Sequence, residues 1–135
     1  MKKSSKWLIR FAAIYALAGA MLGSHMAGSG GDYHLSVVHA HILVVGWLTT
    51  FAYGLFYRVF PKPGKLRLAR WQAWSALVGG ATMPIGMFFY SQYPNPLSTA
   101  LFIITASILL LAMILFLWLV FFDRKLFGDE FESID

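Results

Sequence analysis

Four long stretches of hydrophobic residues, separated by short polar segments, run along the chain. They cover residues 7–27, 36–60, 68–90 and 97–122. Each is long enough to cross the ~30 Å hydrocarbon core of a bilayer, which takes about 20 helical residues. Because lipid offers no partner to free backbone groups, each stretch is predicted to be a transmembrane helix. Short loops join consecutive stretches, so the chain is predicted to be one domain, residues 1–135, folded as an up-down four-helix bundle.

The composition favours the same all-α integral membrane class. Hydrophobic residues make up 59% of the chain and charged residues 13%. A soluble domain of this size could not remove so much apolar surface from water. The aromatic content of 17% is typical of a protein anchored at two membrane interfaces. The chain has no cysteine, which excludes disulfides and thiolate metal sites.

Positive charge falls on one side of the predicted bundle. The loops GSGGDYH and SQYPNP contain no Lys or Arg, whereas the middle loop PKPGKLRLAR and the N-terminal tail are basic. The fourth stretch is followed by Arg124 and Lys125 and then by an acidic tail. Because basic residues stay on the cytoplasmic side of a membrane, both termini are predicted to be cytoplasmic. The formal net charge of +5 is then explained by this rule and by attraction to anionic membrane lipid. A nucleic-acid partner is not expected.

Small residues at four-residue spacing predict close helix contacts. The first stretch contains Gly19-x-x-x-Gly23, and the third contains Ala76-x-x-x-Gly80. The pattern leaves open whether these contacts lie inside one subunit or between subunits. The fourth stretch is rich in Leu and Ile and is predicted to face mostly lipid.

The four histidines all fall on the side of the bundle that lacks Lys and Arg. His25 is near the end of the first stretch, His34 is in the loop, and His39 and His41 are in the first turns of the second stretch. Ionisable groups within a membrane are costly and are usually functional. The simpler alternative is that interfacial histidines bond only to carbonyls, water or lipid headgroups.

Helix geometry separates two of these histidines. Positions two apart diverge by about 200°, so His39 and His41 are not expected to ligate one metal together. His39 shares a helix face that is predicted to point inward, made up of Gly46, Thr50, Tyr53 and Tyr57. His41 shares an apolar face with Val45, Leu48 and Ala52. His41 is therefore available to a neighbouring subunit or to a flat apolar ligand.

The segment VVHAHILVVGWLTTFAYGLFYRVFP, residues 37–61, resembles the second helix of the haem–copper oxidase main subunit. The likeness is greatest to the nitric oxide reductase and C-type oxidase branches, and greater still to short bacterial four-helix proteins with a HAH…GW helix. In the large enzymes a histidine at the outer end of this helix is an axial ligand of low-spin haem b. The resemblance places His39 at that position, with His41 as the neighbouring candidate. It also implies the bacterial inner membrane.

A complete oxidase centre needs a second haem and a copper held by three histidines. Four histidines on two helices and one loop cannot supply those ligands. Reduction of oxygen or nitric oxide by this chain alone is therefore not expected, and enzymatic activity stays undecided.

The resulting hypothesis is a membrane protein that binds haem b near the periplasmic face, for electron transfer or for haem-based gas or redox sensing. Haem between helices needs axial imidazoles and an apolar slot. The predicted ligands are His39, His25 and His41, with His34 the weakest candidate. Gly23 and Gly46 would leave room for the haem ring, and the aromatic side chain of Trp47 would line it.

Two alternatives stay open. One is a copper-binding or copper-handling protein, since Met21 is four residues from His25 and Met83 is four from Met87. Thioether and imidazole ligands suit Cu(I). The other is a cofactor-free accessory or assembly protein of a respiratory complex. A homo-oligomer, a dimer or higher, is expected because one small bundle does not readily enclose a haem, and a respiratory-chain partner is consistent with either role.

Overall fold

The structure is a computed structural model that describes residues 1–31, 33–123 and 126, without the side chains of residues 33 and 34. Every regular element in these residues is helical, which confirms the predicted all-α class. In chain order the elements are α1 (Lys2–Ser29), α2 (Tyr33–His41), a π-helical segment (Ile42–Thr49), α3 (Thr50–Val59), α4 (Leu66–Gln92) and α5 (Pro96–Phe122). The middle three are continuous and are called the composite helix below. The described chain therefore forms four helices.

Three of these helices are long and apolar enough to cross a membrane: Lys2–Ser29, Leu35–Val59 and Pro96–Phe122. The third predicted span, residues 68–90, is also one continuous helix, α4, but it is not among those three. Its polar and small residues, including Arg70, Gln72 and Gly79, lower its hydropathy. Ten residues of α4 are buried, more than in any other described helix.

Consecutive helices run in opposite directions. Along α1, Ile9 lies beside Gly54, whereas Gly23, much later in α1, lies beside His39, which is earlier in the composite helix. Helices α4 and α5 are similarly antiparallel, since Gly79 lies against Leu109. The same helix pair meets again where Gly86 lies against Phe102 and Thr105. Helices α1 and α4 run in the same direction.

The helix ends have local causes. Helix α1 ends at Gly30, whose φ of 86° is left-handed and whose N–H donates to the Met26 carbonyl. Glycine adopts this conformation without the steric cost that a side chain would add. Helix α5 begins with a capping box, in which the Asn95 side chain accepts from the backbone N–H groups of Leu97 and Ser98. Pro96 occupies the first helical position, where no N–H is needed.

Most of the buried core lies in one half of the molecule. Its main cluster joins Leu8 of α1, Tyr53 and Tyr57 of α3, and several alanines of α4. A smaller cluster joins Val45, Met83 and Leu109 further along. The Leu and Ile side chains of α5 are largely exposed, as predicted for a lipid-facing helix; examples are Leu97, Ile103, Ile104, Leu110, Ile114 and Leu117.

Candidate functional site at the histidine end

The composite helix changes its winding directly after His41. From Ile42 to Thr49 the helix is π-helical, with the wider i→i+5 bonding that is rare in proteins and frequently marks functional sites. The hydroxyl of Thr49 donates to the Val44 carbonyl at 2.8 Å, and that of Thr50 donates to the Gly46 carbonyl. The sequence predicts an α-helix throughout, because no residue pattern in this segment distinguishes π-helical from α-helical winding.

The change in winding affects the two predicted faces differently. The inward face predicted for His39 is confirmed as buried, with Thr50, Tyr53 and Tyr57 all less than a tenth exposed. The face predicted for His41 is divided. Val45 is buried against the interior, whereas Leu48 is 54% exposed. Positions four and seven residues apart do not stay on one face across a π-helical segment.

The His39 imidazole extends from α2 and packs against α1. A Cβ atom added to Gly23 would lie 2.9 Å from Cε1 of His39 and 3.4 Å from Nε2, so the ring occupies the space that the glycine leaves. The Nδ1 atom of His39 is buried and has no hydrogen-bond partner among the residues that the structure describes. Burying a polar nitrogen without a partner costs about 1–3 kcal/mol. His39 is thus a half-buried imidazole with one nitrogen that remains to be satisfied.

The His41 imidazole has the arrangement typical of a metal-ligating histidine. Its Nδ1 atom lies 2.8 Å from the carbonyl oxygen of Val37, one helical turn earlier. Because a carbonyl can only accept, Nδ1 must carry the proton, and Nε2 of the neutral ring then has a free lone pair. Metal-bound histidines usually donate their other ring N–H in this way. The side chain is only partly buried, so Nε2 is the ring atom suited to a ligand.

The remaining histidines are placed differently. His25 is exposed. It is two positions beyond Gly23, which faces α2, so its side chain leaves α1 about 200° away from that contact. The side chain of His34 lies outside the described residues. Within the described part of the chain, no group of three or more His, Asp or Glu side chains forms a metal site.

The glycines of α1 and of the composite helix bring the two helices together inside one subunit. Gly19 lies against the side chain of Leu43, and Gly46 lies against the ring of Tyr15, whose hydroxyl donates to the Ala81 carbonyl at 3.0 Å. The space at these two glycines is therefore filled by neighbouring side chains. Trp47 is 40% exposed. A role for Gly23, Gly46 and Trp47 beside a cofactor ring stays a prediction.

The methionines of the copper alternative are dispersed. Met21 is 65% exposed on α1. Met83 is 6% exposed and belongs to the apolar cluster with Val45 and Leu109, against which Met87 also packs. Packing in an apolar cluster accounts for Met83 and Met87 without a metal.

The sequence did not predict one buried polar pair, Tyr57 and Gln72. The hydroxyl of Tyr57 donates to Oε1 of Gln72 at 2.7 Å, and both side chains are fully buried. The Nε2 atom of Gln72 has no hydrogen-bond partner among the described residues. In the sequence, Gln72 is a polar residue close to several basic ones, and nothing there indicated that its side chain would be enclosed.

Comparison of the chain with protein-family models, with curated proteins and with solved structures finds no match.

Proposed function

We propose that this chain is a four-span protein of the bacterial cytoplasmic membrane that binds haem b at its histidine end. His39 and His41, at the start of the composite helix, would hold the haem through their imidazoles. Haem b bound there would supply a one-electron couple for electron transfer, or an iron that senses a gas.

The observation that carries this proposal is the buried, unpartnered Nδ1 of His39. A membrane protein gains nothing by enclosing such an atom unless something satisfies it. The ring lies at the contact of two helices, where α1 offers only Gly23. A rotation of the imidazole, or a small separation of the helices, would present a ring nitrogen to an iron atom at that contact.

His41 supports the same assignment on independent grounds. Its Nδ1 is already engaged by the Val37 carbonyl, which leaves Nε2 as a ready donor to iron. His41 projects away from the His39 contact, and His25 is exposed on the far side of α1. A second imidazole for a haem at the His39 contact would therefore come from another copy of the chain, so the proposed functional unit is a homodimer or a larger oligomer. A respiratory-chain partner would exchange electrons with it.

The membrane arrangement is supported by contacts at the opposite end of the molecule. The terminal amino group of Met1 donates to the Pro61 carbonyl at 2.9 Å. The backbone N–H of Lys65 donates to Oδ2 of Asp123 at 2.8 Å. These bonds bring the start of α1, the basic loop and the end of α5 together, at what we call the basic end. By the positive-inside rule this end is cytoplasmic.

In this proposal helix α4 also spans the membrane, despite its lower hydropathy. Its 27 residues extend about 40 Å at a rise of 1.5 Å per residue, which is enough to cross the hydrocarbon core. The polar and small residues of a span are tolerated where they face protein rather than lipid. Gln72, Ser75 and Gly79 are all buried, as this requires.

Visible spectroscopy tests the haem assignment. The full chain, purified in mild detergent from haem-replete cells, is expected to show sharp α and β bands in a reduced-minus-oxidised spectrum. His39→Ala and His41→Ala are each expected to abolish or shift these bands, because each removes a proposed axial donor.

Ser29→Ala is the matched control, since it changes an exposed polar side chain at the same end of the chain and is expected to leave the bands in place. A colourless wild-type protein would overturn the proposal and favour the cofactor-free role. A colourless protein that retains stoichiometric copper would favour the copper alternative.

A further inference from the structure

A groove lies at the basic end, between the first turns of α1 and the first three turns of α4. It has a volume of about 440 Å³. The wall from α1 is formed by Met1, Lys3, Ser4 and Trp7. The wall and floor from α4 are formed by Leu66, Arg70, Ala73, Trp74 and Leu77. The groove is remote from the histidines, and the haem assignment does not use it.

The groove has cationic side chains at its mouth and apolar side chains further in. Lys3 and Arg70 are exposed at its mouth. Trp7 follows Lys3 by four residues, and Trp74 follows Arg70 by four, so each tryptophan lies about one turn beyond a cation on the same helix face. Because α1 and α4 run in the same direction, both cations lie at one level and both indoles lie deeper.

The apolar part of the groove faces outward. Trp7 is 52% exposed and Trp74 is 62% exposed, while Ala73 forms a closed floor at 1%. Two half-exposed indoles beside two cations match the composition of a membrane interface, where Trp lies at headgroup level and Lys and Arg contact phosphates. A long apolar ligand can therefore enter from the side and remain in contact with bilayer.

No carboxylate of the described residues neutralises the groove. The acidic side chain that the structure describes is Asp123, which is buried and accepts from the Lys65 N–H rather than lining the groove. The positive potential of Lys3 and Arg70 is thus directed at whatever occupies the mouth. Each cation near a membrane surface attracts anionic lipid with about 1 kcal/mol.

We propose that this groove is a binding site for one anionic glycerophospholipid of the surrounding bilayer. The phosphate is held between Lys3 and Arg70, and an acyl chain lies between Trp7 and Trp74 towards Leu77. This inference needs the chain to be in a membrane and is independent of haem.

Native mass spectrometry tests the site. The full chain is released from nanodiscs that contain equal amounts of phosphatidylglycerol and phosphatidylcholine, and the retained lipid is counted. The wild-type chain is expected to retain one phosphatidylglycerol. Lys3→Gln and Arg70→Gln are each expected to lower its retention about fivefold, the effect of removing one interfacial cation.

Lys62→Gln is the matched control. It removes one positive charge from the basic loop, at the same end of the molecule, but Lys62 does not line the groove. Retention is expected to stay at the wild-type level in this variant.

Two results would overturn the proposal. An equal loss in Lys62→Gln would show general attraction to a basic surface rather than a site. Equal retention of the two lipids by the wild-type chain would show that the groove does not select an anion.

Discussion

Two buried side-chain nitrogens have no hydrogen-bond partner among the described residues, and they lie at opposite ends of the molecule. Nε2 of Gln72 is in the half that holds the basic end, and Nδ1 of His39 is at the histidine end. Gln72 is fully buried, and its Oε1 accepts from the Tyr57 hydroxyl. His39 is only partly buried, and its ring meets a glycine rather than a polar group.

This difference in burial distinguishes Gln72, a structural polar group, from His39, a candidate ligand. Gln72 is enclosed by the main core cluster, so nothing from outside reaches it without unfolding that half of the molecule. His39 lies towards the end of a helix pair, and its side chain is partly exposed. Both unsatisfied nitrogens cost stability, but only His39 has a partly exposed ring that a ligand could reach.

The largest expected effect concerns which end faces which side of the membrane. Because the chain has no cysteine, Ser29→Cys and Lys62→Cys each introduce a single thiol at an exposed position outside the predicted spans, one per end. In intact spheroplasts a membrane-impermeant maleimide is expected to label Cys at position 29 fully and Cys at position 62 only after lysis. Labelling in the reverse order would mean that the histidine end is cytoplasmic, against the positive-inside rule.

A smaller effect is expected at the Tyr57–Gln72 pair. Tyr57→Phe leaves Gln72 with no partner for either amide atom in a closed core, which should lower the free energy of unfolding by about 1–3 kcal/mol. The double variant Tyr57→Phe/Gln72→Leu removes every polar atom of the pair and should recover most of that loss. Equilibrium unfolding in mixed detergent micelles measures both. An unchanged stability in Tyr57→Phe would mean that the pair is solvated rather than enclosed.

The smallest effect is expected at His39, and its sign is opposite. In haem-free protein, His39→Leu removes a buried nitrogen that has no partner, so the free energy of unfolding should rise by about 1 kcal/mol. Gln72→Leu is the comparison variant, and it should destabilise, because it strands the Tyr57 hydroxyl. The same unfolding assay applies. A loss of stability in His39→Leu would show that the imidazole is bonded within the fold and is not held open for a ligand.

Much of the helical fold follows from the sequence. Runs of apolar residues must form helices when lipid surrounds them, and the positions of Gly30 and Asn95 end and begin helices for local reasons. The predicted inward face of Thr50, Tyr53 and Tyr57 is buried, since a helical pattern of small and aromatic residues is enough to identify it. Hydropathy was less informative for α4, whose polar residues are hidden by neighbouring helices.

The candidate site was only partly accessible from the sequence. Spacing alone placed His39 and His41 on different faces, and the structure agrees that one meets α1 while the other bonds to its own helix. Spacing did not reveal that His25 is exposed, because the direction in which α1 faces depends on which of its glycines meet the composite helix.

What the amino-acid sequence determined by itself was the set of helices, their order and the separation of cations from histidines, because these depend on local hydropathy and charge. What only the tertiary structure decided was the environment of single polar atoms: the π-helical winding after His41, the orphaned nitrogens of His39 and Gln72, and the groove at Lys3 and Arg70. The orphaned nitrogens and the groove depend on side chains from distant parts of the chain meeting at one place.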